Sequence, residues 1–132
     1  MYKLDNFKSC CDYLGIDNTL PVCQIDVREI QAAYKLRVCM KAWNRQDGFE
    51  PDETANYNQA GAGYTPYFLF IKGRLRSSGY ANYGAYAGFV HTFADYPGSY
   101  SDATFGLRLS FITKERAIEF GKTFIETFNE LI

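Results

Sequence analysis

The hydrophobic positions in the first third of the chain follow the spacing of two helices. The first predicted helix covers residues 5–15, with Asp5 as its N-cap and Gly15 as a left-handed stop. Its apolar residues recur at i, i+3, i+4 and i+7, and they are Phe7, Cys10, Cys11 and Leu14. A turn over residues 17–21 separates this helix from the next one.

The second predicted helix is longer and begins at Asp26, which forms a capping-box pattern with Glu29. It ends before Gly48. Its apolar residues fall within an arc of about 120° that we assign to the core, and they are Ala32, Ala33, Leu36, Cys39, Met40 and Trp43. A polar strip on the opposite side, which we interpret as a solvent-exposed face, consists of Arg37, Lys41 and Asn44.

Strand-like alternation begins after a polar stretch over residues 51–63, which predicts a long loop. Three strands are predicted, over residues 67–71 behind Pro66, over 87–94 and over 105–112. Because their connections are short, we expect an antiparallel sheet. In the third strand one face is apolar, with Phe105, Leu107, Leu109 and Phe111, and the other carries Gly106, Arg108 and Ser110.

An amphipathic helix capped by Thr113 is predicted to continue to the C-terminus. The order of two helices, three antiparallel strands and one helix predicts a single α+β domain over residues 1–132. We expect the helices to cover one face of the sheet and to leave the other partly open. That second face is where a partner would bind.

Composition narrows the class of protein. The 132 residues carry 14 Lys and Arg against 15 Asp and Glu, a formal net charge of −1, and 17% of them are aromatic. This aromatic content is far above that of disordered chains, and the balance of charge argues against a generic polyanion binder. The longest apolar run is too short to cross a membrane, so no membrane partner is expected.

The chain offers little for metal or cofactor chemistry. Cys10, Cys11, Cys23 and Cys39 match no zinc-ligand spacing, and the single histidine, His91, is far from them in sequence. We expect reduced cysteines that pack as small hydrophobic residues. No metal or cofactor is predicted. Catalytic motifs for nucleophilic, phosphate-binding or dinucleotide-binding enzymes are absent from the sequence, so we expect a protein that is not an enzyme.

Tyrosine is concentrated between residues 57 and 100, where eight of the 11 tyrosines lie among Gly, Ser, Asn and Ala. Loops of this composition are typical of binding surfaces, because tyrosine offers a large contact area for little rotamer entropy. Tyr80, Tyr83 and Tyr86 stand three residues apart and are the strongest candidates. The alternative is that these rings cover a sheet edge or pack between loop and core.

A second set of candidates lies on or beside the predicted strands and comprises Arg74, Arg76, Phe89, His91 and Arg108. On one sheet face they would form an aromatic platform edged by basic groups, which is suited to stacking bases and holding phosphates. A homo-oligomer interface through the same face is the alternative.

Several segments are similar to one family. These are Ala42-Trp43-Asn44, Gly48-Phe49-Glu50-Pro51-Asp52, Tyr64-Thr65-Pro66-Tyr67-Phe68 and Gly106-Leu107-Arg108-Leu109-Ser110-Phe111. In them, and over most of residues 26–132, the chain resembles small proteins of phages and prophages of gut Bacteroidetes. It departs from the usual pattern of that family at Trp43, Arg45, Tyr67 and Thr113. The resemblance implies a phage origin and supplies no activity and no catalytic residue.

Three functions remain open. The first, slightly favoured with a nucleotide or nucleic acid as ligand, is a non-enzymatic phage accessory protein that binds a partner through the Tyr-rich loops and the sheet surface. The second is a virion or assembly component that forms a homo-oligomer or binds a phage or host protein. The third is a variable-loop recognition module, because Gly106-Leu107-Arg108-Leu109 resembles the end of phage-diversified C-type-lectin-like domains. The expected location is the cytoplasm of a bacterial host, or the virion.

Overall fold

A computed structural model describes residues 3–22, 27–50, 63–71, 74–82, 89–96 and 99–131. Within the strands, side chains are described for residues 64–66, 68 and 74–76, and elsewhere in the strands the backbone alone. The predicted loop over residues 51–63 therefore lies outside the described residues except for its last position.

Helix α1 spans Phe7–Leu14 and ends at Gly15, whose φ of 71° is left-handed, as predicted. Its N-cap is Asn6 instead of the expected Asp5. The Asn6 side chain accepts a hydrogen bond from Ser9 N at 2.8 Å, and Ser9 Oγ accepts one from Asn6 N at 3.3 Å. This reciprocal capping box satisfies two backbone donors at once, which a cap one residue earlier would not do.

Helix α2 spans Val27–Asp47, and Asp26, its predicted cap, lies outside the described residues. The helix ends in a Schellman motif at Gly48, which has a φ of 69°. Phe49 N donates to Asn44 O at 2.8 Å and Gly48 N donates to Arg45 O at 3.2 Å. This left-handed turn favours glycine, because a Cβ is strained at a positive φ, and this explains why the helix stops at Gly48.

Four strands form one mixed sheet in the order β2-β1-β3-β4: β1 Tyr64–Ile71, β2 Arg74–Asn82, β3 Phe89–Tyr96 and β4 Ser99–Arg108. Strand β1 pairs antiparallel with β2 and parallel with β3, and β3 pairs antiparallel with β4. Strands β2 and β3, which are consecutive in the chain, therefore flank β1 on opposite sides.

The prediction of a mixed α+β protein with helices at both ends is confirmed. The prediction of three antiparallel strands is not what the structure shows, because it omits β2 and misses the parallel β1–β3 pair. Strand β2 lacks regular hydrophobic alternation, since it contains Gly79 and two serines among its nine residues. It belongs to the sheet through backbone pairing with β1, which its side-chain pattern does not reveal.

The segment after β4 was also predicted wrongly. The third strand was expected to continue to residue 112 with Ser110 facing away from the core, but β4 ends at Arg108 and Leu109, Ser110 and Phe111 are all buried. Three consecutive buried residues do not fit a strand with one open face. Phe111 instead makes an isolated antiparallel bridge with Tyr64, through Tyr64 N to Phe111 O at 2.9 Å and Phe111 N to Tyr64 O at 2.7 Å.

The C-terminal helix begins as predicted, with Thr113 Oγ1 accepting from Arg116 N at 3.1 Å. It is not continuous, however. Helix α3 spans Lys114–Thr123 and a short helix α4 spans Ile125–Asn129, with Phe124 at the junction (φ −107°, ψ 24°). Phe128 on α4 contacts Phe68 on β1 with ring centroids 4.4 Å apart, so this end of the chain packs on the sheet.

The core centres on Trp43 of α2. Its ring makes edge contacts with Phe111, Phe120 and Phe124 at centroid distances of 6.3, 5.0 and 5.9 Å. Its Nε1 donates to Leu4 O at 2.7 Å, which ties the N-terminal segment to α2. Trp43 thus links α2 to the N-terminal segment, to the segment after β4 and to the C-terminal helical segment.

We predict that Trp43→Ala lowers the free energy of unfolding by about 3–5 kcal/mol, because it leaves a large cavity among three phenylalanines. Trp43→Phe keeps most of the apolar volume but leaves Leu4 O without its donor, at a cost of about 1–3 kcal/mol. Urea unfolding followed by circular dichroism measures both, since Trp43 is the only tryptophan in the chain. Wild-type stability of Trp43→Phe would contradict the role of the indole N–H, and equal stabilities of the two variants would contradict the role of the apolar ring.

A side chain from α4 closes the edge of the sheet at β2. Asn129 Oδ1 accepts from Leu75 N at 2.7 Å, and Asn129 Nδ2 donates to Leu75 O at 3.2 Å. These two bonds replace the pairs that a neighbouring strand would make. At Leu75, therefore, the backbone groups of the edge strand are not free to pair with another chain.

We predict that Asn129→Leu lowers stability by about 1–3 kcal/mol, because it leaves both backbone groups of Leu75 without partners. It should also cause association that increases with protein concentration in sedimentation experiments, through the opened β2 edge. The matched control is Asn18→Leu, at an exposed position before α2. Association of both variants to the same degree would show that added surface leucine is the cause.

Candidate functional site

The structure distributes the predicted binding residues over three strands. Arg74, Arg76 and Tyr80 lie on β2, and Phe89 and His91 lie on β3. Arg108 is the last residue of β4. Tyr83 and Tyr86 lie outside the described residues.

Backbone register brings some of these residues together and separates others. Phe89 is the antiparallel partner of Arg108, and His91 pairs with Thr104. Tyr80 is the partner of Pro66 on β1. Because β1 lies between β2 and β3, the β2 arginines are two strands away from His91. The predicted surface therefore has a β3–β4 part and a β2 part.

The β2 part has described side chains. Arg74 and Arg76 are exposed and border a hollow of about 290 Å³ together with Lys122 of α3 and with Asn129. Arg74 Nη2 lies 3.1 Å from Glu126 Oε1, in an ion pair whose groups are largely exposed. Such pairs contribute little to stability, so Arg74 keeps access to an incoming anion.

A larger concavity lies beside the C-terminal half of α2. We call it the α2 cleft. It has a volume of about 540 Å³ and is lined by Arg37, Met40, Lys41, Asn44, Arg45, Gly48, Phe49 and Glu50. All three residues of the strip interpreted as an exposed polar face, Arg37, Lys41 and Asn44, are thus part of its wall.

Positive charge dominates the wall of the α2 cleft. Arg37, Lys41 and Arg45 recur every fourth residue, which places them on one side of the helix over about 12 Å. Lys41 and Arg45 are exposed, and no ion pair joins either of them to a carboxylate among the described residues. Glu50 is the one acidic residue that lines the cleft.

The row of like charges disfavours the helix slightly. Two neighbouring like-charged pairs at i, i+4 cost about 0.2–0.5 kcal/mol each. Arg45 is partly compensated because it lies in the last turn, at the negative end of the helix dipole. Lys41 lies a turn earlier and has no such compensation. An anion in the cleft would relieve this repulsion.

Asn44 was predicted to be exposed, but it is only 3% exposed. The reason is that the segment around Ser110 packs against this side of α2, and Asn44 Nδ2 donates to Ser110 O at 2.9 Å. A carbonyl can only accept, so the nitrogen of the amide must face it. Asn44 Oδ1 is then a buried acceptor without a hydrogen-bond partner among the described residues.

Phe49 and Met40 supply the apolar wall of the α2 cleft. Phe49 is held there by the Schellman turn, and Met40 Sδ accepts a hydrogen bond from Ser110 N at 3.4 Å. Gly63 completes the packing. A Cβ at Gly63, whose φ is 77°, would collide with Ser110 Oγ and lie 2.7 Å from Phe111 O and 3.2 Å from Phe49 Cζ. This close approach explains why glycine is required at position 63.

Part of the α2 cleft could be predicted from the sequence. The spacing of Arg37 and Lys41 was visible, and Arg45 continues it, but a basic strip on a helix is usually an exposed face. Neither the burial of Asn44 nor the concavity was visible, because both depend on Ser110, which is 66 residues further along the chain.

The described cysteines form no reactive site. Cys10, Cys11 and Cys39 are free and buried, in agreement with the prediction that they pack as small hydrophobic residues, and Cys23 lies outside the described residues. A hydrogen bond between Cys10 and Cys39 raises the pKa of the Cys39 thiol, and burial raises it further. Burial also raises the pKa of Cys11. The hydrogen bond with Cys39 lowers the pKa of the Cys10 thiol, so burial alone protects Cys10, whereas burial and a raised pKa act together at Cys11 and Cys39.

We predict that these thiols are protected in the folded protein. In a Cys23→Ser background, reaction with Ellman's reagent at neutral pH should be at least roughly a hundredfold slower than in denaturant, because the thiols react only after local opening. Asp12→Cys in the same background places a thiol at an exposed position of α1 and should react quickly. Fast reaction of the background protein itself would contradict the buried positions.

No protein-family model, no curated protein and no solved structure matches this chain. Within the described part of the chain, no helix is long and apolar enough to cross a membrane. The same residues contain no cluster of three or more His, Cys, Asp or Glu side chains arranged to hold a metal ion. Function is therefore inferred from the α2 cleft itself.

Proposed function

We propose that this protein is a non-enzymatic binding protein that holds the phosphate group of a small ligand in the α2 cleft. The observation that carries the proposal is the row of Arg37, Lys41 and Arg45 along one wall of a concavity, with two exposed cations that have no carboxylate partner among the described residues. The remaining wall is apolar or neutral except for Glu50.

Phosphate fits this wall better than a single carboxylate does. Its charge at neutral pH and its several acceptor oxygens allow contact with more than one cation at once, and arginine binds it through two parallel hydrogen bonds. The positive charge that binds phosphate would be confined to the α2 cleft. With a net charge of −1, the whole chain does not attract polyanions at long range, so the cleft acts through its local field.

A role as an accessory protein of a phage is part of the same proposal. It rests on the sequence resemblance described above. A protein that binds a phosphorylated metabolite without turning it over fits such a role, because the described wall of the α2 cleft contains no Ser, Thr, Cys or His side chain.

A second candidate is nucleic-acid binding through the predicted sheet surface. It is favoured by the hollow beside β2, where Arg74, Arg76 and Lys122 come together at an edge strand. Tyr80 continues along the same strand, with stacking of bases as its proposed role. A single-stranded oligonucleotide is the ligand that tests this candidate.

The two candidates are distinguished by titration calorimetry at low ionic strength. With inorganic phosphate as ligand, Lys41→Ala and Arg45→Ala should each weaken binding about tenfold, because each removes a charge-assisted hydrogen bond. Lys8→Ala, which removes an exposed lysine of α1, is the matched control and should have no effect. Affinity should fall as salt is added.

Arg76→Ala tests the other surface. If the α2 cleft is the binding site, Arg76→Ala binds phosphate as the wild type does. If a mixed-sequence single strand binds and Arg76→Ala weakens it while Lys41→Ala does not, the second candidate replaces the first. Absence of phosphate binding at millimolar concentration would refute the proposal for the α2 cleft.

A further inference from the structure

We infer that the ligand of the α2 cleft is a nucleotide whose base stacks on the ring of Phe49. This inference rests on the proposed function and adds the part of the ligand beyond its phosphate. It depends on three features of the described wall: the size of the cleft, the fixed position of Phe49, and the order of charged and aromatic side chains along α2 and the turn after it.

The α2 cleft is much larger than a phosphate group. Its volume of about 540 Å³ lies in the range of about 300–1,000 Å³ that is typical of sites for whole small molecules. A phosphate group is a single phosphorus atom with its oxygens, so most of the cleft is open to the remainder of the ligand. The wall beyond the cations therefore indicates what that remainder is.

Only part of this wall can contact a ligand. Met40 and Asn44 are each 3% exposed and belong to the core. Beyond the cations, the described lining residues with accessible surface are Gly48 and Glu50, which are exposed, and Phe49, which is half-buried. Within the described wall, the apolar surface that a ligand can cover is thus the ring of Phe49.

Phe49 is held in position by the fold itself. Its N–H donates to Asn44 O at 2.8 Å in the Schellman turn, and its Cζ packs so close to Gly63 that an added Cβ there would lie 3.2 Å away. At Gly48, the residue before Phe49, an added Cβ would meet no atom within 4 Å, so the neighbouring backbone faces open space. A fixed aromatic ring beside open space binds a flat partner with little loss of conformational entropy.

The order of the side chains gives the ligand a direction. Lys41 and Arg45 precede Asp47, the last residue of α2, by about 9 and 3 Å along the axis, whereas Phe49 and Glu50 follow the turn. A phosphate is attracted by the cations and repelled by the Glu50 carboxylate, so the uncharged end of the ligand lies at Phe49. A nucleotide has this form, because its sugar separates a charged phosphate from a flat base that stacks on aromatic rings.

Ligands that share the phosphate and differ in the base test the inference on the wild-type protein. Ribose 5-phosphate is the matched control, since it keeps the sugar and the phosphate of a nucleoside monophosphate and lacks the base. By titration calorimetry at low ionic strength, we expect adenosine and uridine monophosphates each to bind at least about tenfold more tightly than ribose 5-phosphate, because either base can stack on an aromatic side chain.

Nuclear magnetic resonance locates the base. The ring resonances of Phe49 should shift on addition of adenosine monophosphate and stay nearly unchanged with ribose 5-phosphate at equal occupancy. Phe49→Leu, which keeps an apolar side chain, should weaken binding of both nucleotides about tenfold, to the level of ribose 5-phosphate, and leave the affinity for ribose 5-phosphate unchanged. Phe7→Leu, the same change at a half-buried ring of α1, is the control variant and should alter none of these affinities.

Each outcome has a distinct meaning. A tenfold preference for both nucleotides, lost in Phe49→Leu and accompanied by the Phe49 shift, supports the inference. Binding of inorganic phosphate with equal affinities for nucleotides and ribose 5-phosphate, or a preference that survives in Phe49→Leu, overturns the inference and leaves the proposed function standing. Failure of phosphate, ribose 5-phosphate and both nucleotides to bind overturns both. If Phe49→Leu does not fold, the wild-type measurements decide, and a preference without the Phe49 shift contradicts stacking at this ring.

Discussion

The burial of Trp43 is the interaction on which the rest of the structure depends. Its ring contacts Phe111, Phe120 and Phe124, and its N–H holds the N-terminal segment at Leu4 O. Arg116 of α3 lies over the same ring at 4.1 Å and binds Asp47 at the end of α2 at 2.8 Å. Because these partners come from distant parts of the chain, their packing fixes α2 relative to α3 and to the segment after β4.

The α2 cleft is a consequence of that packing. Holding Phe111 against Trp43 and against Tyr64 brings Ser110 onto α2, where it buries Asn44, and the Schellman turn places Phe49 beside it. Two local rules are broken there, since like charges repeat along one helix side and a buried acceptor has no partner among the described residues. Only the row of like charges is open to a ligand, because an anion in the cleft can neutralise exposed cations.

The parts of the fold that could be predicted are those encoded by short-range patterns. Helix α1, the stop at Gly48 and the cap at Thr113 follow from periodicity and from residues with strong backbone preferences. Strand β2 was not predicted, because backbone pairing with β1 and the Asn129 side chain hold it in the sheet, and neither leaves a pattern in its own residues. Of the candidate site, the cations could be read from the sequence, whereas their place beside a concavity could not.

The sequence by itself determined the helical periods, the caps, the mixed α+β class and the separation of apolar from polar residues. Tertiary structure alone decided the strand order, the parallel β1–β3 pair and the meeting of Asn44 with Ser110 across 66 residues. The physical reason is the distance along the chain over which each effect acts. Propensity and hydrophobic spacing act over one or two turns of chain, but the side chain that covers a given helix face is chosen by how the whole core closes.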